Sequence, residues 1–173
     1  MQARTGSIAT TTRHPLGLPP FARVVEDHGP ALLRFCAARV GHERSEDCFQ
    51  ETMLAALRAY RDVHDPSAIR TWLFSIAARK AIDAHRASAR LHQPTDDIEA
   101  IAVGKDPAVR DEALWDDVRS LPDKQGRAVT LRYRADLTYA EIAQVMETSE
   151  PAARRNVFEG LKRLRKDTDH ART

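Results

Sequence analysis

Apolar residues in this chain recur at three- and four-residue spacing, and nowhere do they alternate for long. Phe49, Met53, Ala56, Leu57 and Tyr60 form one stripe, Ile69, Trp72, Leu73, Ile76 and Ala77 a second, and Ala153, Val157, Leu161 and Leu164 a third. A helix of 3.6 residues per turn gathers such positions on one side, whereas a half-buried strand needs period two. No run of Val, Ile or Tyr is long enough for that, so the expected fold is all-α. Of the 173 residues 42% are hydrophobic, which suffices for a modest core in one domain or two small ones.

The punctuation divides the chain into four parts. Residues 1–20 are rich in Thr, Pro and Gly without periodicity and read as a flexible N-terminal tail. Residues 21–90 carry three helical patterns. One starts at Phe21, is interrupted at Gly29-Pro30 and stops at Gly41; one is capped by Ser45, with Glu46 and Asp47 in its first turn; one is capped by Ser67 and reaches about Arg90. Residues 91–106, with Pro94, Gly104 and four acids against one lysine, read as a flexible acidic linker between two small helical domains.

Residues 107–168 begin with a helix opened by Pro107, with Leu114, Val118 and Leu121 as its apolar stripe, followed by one marked by Ala128, Val129, Leu131 and Tyr133. Thr138-x-x-Glu141 is a capping box that launches a short helix, and Ser149 caps a last, basic one. Short helix, tight turn and longer basic helix have the proportions of a helix-turn-helix.

Net charge is only +2, so a nucleic-acid function has to rest on local clusters. Two exist. Between Pro66 and Arg90, five basic residues (Arg70, Arg79, Lys80, Arg86, Arg90) meet one acid, Asp83, and Arg79, Asp83 and Arg86 share a helix face. Between Ser149 and Lys166, Arg154, Arg155, Lys162, Arg163, Arg165 and Lys166 meet Glu150 and Glu159. Each could be a plain solvated face, but phosphate binding is the stronger reading, and the helix-turn-helix pattern favours DNA for the second. The outer side of the Ser45 helix carries Asp47, Gln50, Glu51, Leu54 and Arg58. Periodicity alone makes this a solvated stripe, with an exposed Leu54 among acids as a hint of a partner surface.

Other function classes find little support. No apolar stretch approaches a membrane span and the first residues lack a signal peptide's apolar core, so a cytoplasmic protein without membrane insertion is expected. No Ser/His/Asp grouping, phosphate-cradling glycine loop or paired acid on an apolar background is present, so neither catalytic residues nor a cofactor is expected. Cys36, His42 and Cys48 raise a metal site, but they lack a CxxC unit and an evident fourth ligand. The cysteines read better as buried free thiols, and no metal is expected.

At this point the residues resemble a known family. Ser45-Glu46-Asp47-x-x-Gln50-Glu51-Thr52, with Arg70-Thr71-Trp72-Leu73-x-x-Ile76-Ala77 and then Asp83-x-x-Arg86, is similar to the second domain of bacterial sigma factors of the extracytoplasmic-function group. Leu121-Pro122-x-x-Gln125-x-Arg127-x-Val129-x-Leu131-x-Tyr133, with Leu137-Thr138-Tyr139-Ala140-Glu141-Ile142-Ala143, resembles their fourth domain.

The resemblance implies a sigma factor that binds core RNA polymerase, melts promoter DNA and directs transcription initiation, with an anti-sigma protein as a further partner. It implies that Asp47, Gln50, Glu51, Leu54 and Arg58 meet polymerase. Asp62, His64, Arg70, Arg79, Lys80, Asp83 and Arg86 would then melt and hold the minus-ten element, and the acidic linker would thread the polymerase's RNA channel. Thr138, Ser149, Arg154, Arg155, Asn156, Lys162 and Arg163 would contact the minus-thirty-five element.

This chain departs from the family pattern at several places. It has Pro151-Ala152-Ala153-Arg154-Arg155-Asn156 where a Gly-Thr-Val-Lys-Ser-Arg run is common, Gly126 where Glu or Arg is usual, and Met146-Glu147 in place of Leu-Gly. The alternative function is a helix-turn-helix regulator that never recruits polymerase; Asp47-x-x-Gln50-Glu51 together with the Trp72 helix argues against it.

Overall fold

The structure is a computed structural model that describes residues 17–91 and 107–170, so all of the acidic linker except its first residue, and the first sixteen residues of the tail, lie outside the described residues. Among the described residues there are seven α-helices and no strand, in keeping with the apolar spacing. They are α1 (Phe21–Val40), α2 (His42–Ala59), α3 (Ile69–Leu91), α4 (Pro107–Ser120), α5 (Asp123–Tyr133), α6 (Tyr139–Val145) and α7 (Glu150–His170).

The first three helices make one unit. Gly41, at φ +82°, ends α1 in a conformation that side chains rarely adopt, and α2 starts at the next residue. The two therefore form a hairpin with a single linking residue. This start displaces the expected cap: Ser45 is buried inside α2, and its hydroxyl donates to the carbonyl of His42 at 2.7 Å. The expected interruption at Gly29-Pro30 is also absent. Pro30 is exposed and forgoes only its own N–H bond, while Val24, Leu32, Phe35 and Cys36 on either side of it share one buried face.

Phe35 of α1 meets Phe74 of α3 edge to face at 5.6 Å, and both are fully buried, each contributing roughly 1.5–3 kcal/mol relative to exposure. Asp65, rather than Ser67, caps the entry to α3: its carboxylate accepts from the Ser67 N–H at 2.9 Å and hydroxyl at 2.7 Å. Leu57, expected in the core, is 53% exposed, and Thr52 takes the inward place one turn earlier, its hydroxyl donating to the Cys48 carbonyl. The last residues assigned to the tail are packed: Leu18 is fully buried, and Tyr60 donates its hydroxyl to the Pro19 carbonyl at 2.5 Å.

The second unit is α4 to α7. Trp115, Val118, Leu121 and Val129 form its smaller cluster, with Leu164 of α7 packed on it. Leu114, expected in the apolar stripe, faces solvent, as does Tyr133. The capping box before α6 is complete: Thr138 Oγ1 accepts from the Glu141 N–H at 3.2 Å and Glu141 accepts from the Thr138 N–H at 2.7 Å. Gly160 lets α7 lie close on α5, since a Cβ there would sit 2.7 Å from a Val129 methyl.

These units are not separate beads. The main core is continuous from Leu32, Phe35 and Leu73 to Leu131, Leu137, Ile142 and Val157, and Ala38 of α1 joins the second unit's Trp115 cluster. Arginines stitch the seam. Arg39 is 3% exposed and pairs with Asp123 at the start of α5 at 3.0 Å, and Arg119 of α4 donates to the carbonyls of Ala37 and Ala38 at the end of α1. Burial pulls the Arg39 pKa down and Asp123 opposes that. Gly126 explains its own presence here, because a Cβ would lie 2.9 Å from both the Arg39 guanidinium and the Val118 carbonyl.

Candidate functional site

Three surfaces collect the candidate residues. On α2, the hairpin turns one side of the helix inward through Cys48, Thr52 and Ala56, which leaves Asp47, Gln50, Glu51, Leu54 and Arg58 exposed on the other. Leu57 belongs to the same outer stripe, three residues past Leu54 and seven past Gln50. Sequence reading missed it because i, i+3 and i+4 spacing also fits the inward stripe; only the buried Thr52 shows where the helix faces.

The second surface is the polar side of α3 with the loop before it. Asp62 and His64 are exposed in that loop, and Asp83, Arg79 and Arg86 are exposed along α3. Lys80 reaches back to Glu51 of α2 at 3.4 Å. Asp47, Glu51, Lys80 and Asp83 therefore line one open groove of about 410 Å³, where the polymerase-type and DNA-type candidates meet.

Two cations of this surface are engaged by the second unit. Arg70 donates to the carbonyl oxygens of Ala135 and Asp136 at 2.6 and 3.0 Å and lies 3.8 Å from Glu141. Arg79 pairs with Glu147 at 2.8 Å. Glu147 sits at φ +51° in the turn between α6 and α7, left-handed backbone that glycine adopts more easily. That turn also closes through the Thr148 N–H donating to the Ala143 carbonyl.

The third surface is α7. Ser149 caps it, its hydroxyl accepting from the Ala152 N–H at 3.3 Å, and Ala153 and Val157 anchor it to the core. Arg154, Arg155, Lys162 and Arg163 are exposed, and Asn156 is half-buried on the flank. Arg154 is held by Glu150 at 3.0 Å and lies over the Tyr139 ring at 4.4 Å, while Arg155 makes no ion pair among the described residues. Thr138 is exposed but committed to the capping box. Phe158 stands out in this charged setting at 63% exposure.

The cysteines form no metal group. Cys36 and Cys48 are free, buried and hydrogen-bonded to each other, which together with burial pushes the Cys36 thiol well up. His42 is exposed, and no cluster of metal-ligating side chains occurs among the described residues. Nor is any described helix long and apolar enough to cross a membrane.

Comparison with known proteins follows the same division. The family model for Sigma-70 region 2 matches residues 24–91, and that for Sigma-70, region 4 matches residues 112–164. RNA polymerase sigma factor SigV of Bacillus subtilis is 27% identical over 143 residues, covering 82% of this chain and 86% of its own. ECF RNA polymerase sigma factor SigD of Mycobacterium tuberculosis is 33% identical over 161 residues, covering 82% and 74%. Among solved structures, the sigma factor RpoE in complex with the anti-sigma factor NepR from Bartonella quintana superposes with a TM-score of 0.69 at 19% identity, over 84% of this chain and 94% of that one, a likeness of fold. The chain belongs to the ECF family of RNA polymerase sigma factors, and its function is to direct transcription initiation.

Proposed function

We propose that this sigma factor docks on core RNA polymerase through the outer face of α2 and on promoter DNA through α3 and α7. The observation that carries the reading is that all five α2 candidates, Asp47, Gln50, Glu51, Leu54 and Arg58, are exposed on one side of a helix whose other side is core. Leu57 extends that face and supplies a second apolar contact. In this reading α3 and the Asp62–Ser67 loop hold the melted minus-ten strand, and α7 enters the major groove at the minus-thirty-five element. Arg79, Lys80 and Arg86 supply charge for the strand backbone. No reaction is assigned to the chain itself, and its work is placed in the cytoplasm with polymerase and DNA.

The test combines the purified chain with core polymerase and genomic template and maps transcript starts. Starts that share two spaced sequence elements are expected, and exchanging Gln50→Ala, Glu51→Lys and Leu54→Ala together should abolish them by weakening core binding while helicity is kept. Unchanged core affinity in the triple variant would remove the α2 assignment. Promoter binding without any recruitment of polymerase would favour the simple regulator instead.

A further inference from the structure

Cys36 and Cys48 meet across the α1–α2 hairpin, five residues before Gly41 and seven after it. The Cys36 thiol donates to the Cys48 sulfur, so the two side chains are in contact. The backbones also suit a covalent link. Packed helices lie about 8–10 Å apart with Cα atoms at a radius of about 2.3 Å, which leaves facing Cα atoms roughly 3.4–5.4 Å apart. A disulfide spans about 4.4–6.8 Å between Cα atoms, a range that overlaps this one.

The two thiols differ in access. Cys36 is fully buried, whereas Cys48 is 5% exposed and lines the open groove of about 410 Å³ between α2 and α3, beside Arg44, Glu51 and Lys80. Buried cysteines mostly serve as small apolar side chains. A place in the wall of a polar groove sets Cys48 apart from that role. Its surroundings favour the thiolate, first through the Cys36 hydrogen bond and then, against burial and the Glu51 charge, through the Thr52 hydroxyl and Lys80. Cys36 is pushed up by its bond to Cys48, by burial and by the Cys48 charge, so it stays a thiol while Cys48 is an anion. One sulfur is thus reachable and nucleophilic, and the other stands behind it.

We propose that Cys48 and Cys36 form a peroxide-sensitive dithiol: Cys48 takes the oxidant from the groove, Cys36 closes a disulfide with it, and the closed bond weakens docking on core polymerase. The Cys48 thiolate attacks one oxygen of hydrogen peroxide, the O–O bond breaks, and the departing hydroxide takes up the proton that Cys48 gave off. The Cys36 sulfur then attacks the sulfur of the Cys48 S–OH, the S–O bond breaks, and hydroxide leaves as water with the Cys36 proton. Two thiols and one peroxide become one disulfide and two waters, with two electrons passing from sulfur to oxygen. Replacing a hydrogen-bonded contact by a covalent bond draws α2 towards α1. Cys48 shares its helical turn with Asp47, Gln50 and Glu51, so the movement reaches the outer face of α2. The effect on docking rests on the assignment of that face to polymerase given above; the disulfide itself does not.

The reduced full chain would be treated with hydrogen peroxide and its peptides mapped by mass spectrometry without reductant. A Cys36–Cys48 cross-link within one chain is expected, with the loss of two hydrogens and reversal by dithiothreitol. In Cys36→Ala, Cys48 should stop at the sulfenic acid and be trapped by dimedone, while in Cys48→Ala the remaining Cys36 should stay a free thiol. The mapping uses the parent chain, so it stands even if a variant folds poorly. Affinity of the oxidised parent for core polymerase should fall about tenfold and recover on reduction, and Cys48→Ala should show no such response to peroxide. Two intact thiols in the treated parent would overturn the proposal, as would a bond between chains or dimedone on Cys36 in place of Cys48. A complete disulfide with unchanged core affinity would overturn it too. Undiminished core binding by the reduced Gln50→Ala, Glu51→Lys, Leu54→Ala chain would instead remove the docking face of α2, and the mapping would still decide the dithiol.

Discussion

The basic faces of α3 and α7 carry similar charge but differ in how far they are already engaged. On α7, Arg155, Lys162 and Arg163 are exposed and make no ion pair among the described residues. On α3, Arg70 is held by backbone carbonyls of the α5–α6 turn and Arg79 by Glu147 of the α6–α7 turn. On the proposed assignment, a duplex would meet Arg155, Lys162 and Arg163 without displacing an ion pair among the described residues, whereas a DNA strand reaching Arg70 and Arg79 would have to replace contacts that the second unit now makes. On that reading the α7 cations are available to a duplex in this closed arrangement, and Arg70 and Arg79 become free for a strand only when their contacts to the second unit break.

The seam should therefore control both stability and the freedom of α3, and its centre is the Arg39–Asp123 pair. Asp123→Ala would strand a guanidinium that is 3% exposed. Stranding one member of a buried pair costs about 3–5 kcal/mol; because Asp123 remains half-exposed we expect about 2–4 kcal/mol in chemical denaturation. Arg39→Met keeps the volume without the charge and should be close to neutral. If both variants lose the same stability, packing rather than pairing holds the seam. A pair of fluorophores on α3 and α7 should report a longer separation in Asp123→Ala, and an unchanged separation would break the link between the pair and closure.

Gly126→Ala attacks the same place from the other side. The new methyl would crowd both the Arg39 guanidinium and the Val118 carbonyl at 2.9 Å, and the backbone contact cannot swing away. A loss of about 1–3 kcal/mol is expected, read from the denaturation midpoint. No loss would mean that α4 and α5 shift together at little cost.

Much of this was legible in the sequence, and the misses have a common physical cause. Helix periodicity located all seven helices, and Thr138 and Ser149 cap as expected because a side-chain cap is a local interaction. Ser45 and Ser67 misled for the same reason: nearby Gly41 and Asp65 take those places, and choosing between adjacent candidates depends on how the chain enters the helix. The seam was illegible. Nothing in the sequence around Arg39 marks it as buried, because its burial depends on Asp123 and Gly126, more than eighty residues away. Leu57 and Leu114 read as inward because helical spacing gives a stripe but not its width.

The Arg79–Glu147 contact allows a finer separation of stability from function. Both side chains are largely exposed, so Arg79→Ala should change stability by no more than about 1 kcal/mol. Glu147→Gly removes the same ion pair but places glycine at a left-handed position, which relieves about 1 kcal/mol of backbone strain. It should be at least as stable as the parent while leaving Arg79 free. Permanganate reactivity of minus-ten thymines should then rise with Glu147→Gly and fall with Arg79→Ala; equal reactivity in both would mean that the contact does not restrain α3.

The smallest effect expected is a pH dependence at the seam. His85 of α3 is held below the ordinary histidine value of 6.5, first by burial and then by the positive charge of Arg39 on α1, with Arg44 of α2 adding to it and Asp123 of α5 opposing. A depressed value means that the folded state binds the proton less readily than the unfolded one. The stabilisation is therefore complete above the unfolded value near 6.5 and is lost as pH falls through the lower folded value. His28 of α1 is lowered by burial in the same direction, so His85 accounts for only part of the slope. Denaturation midpoints should fall modestly on acidification below pH 6.5, and His85→Gln, which cannot be protonated there, should flatten the fall. An identical pH profile in His85→Gln would place the sensitivity at His28 in the first unit, and the seam would then be indifferent to pH.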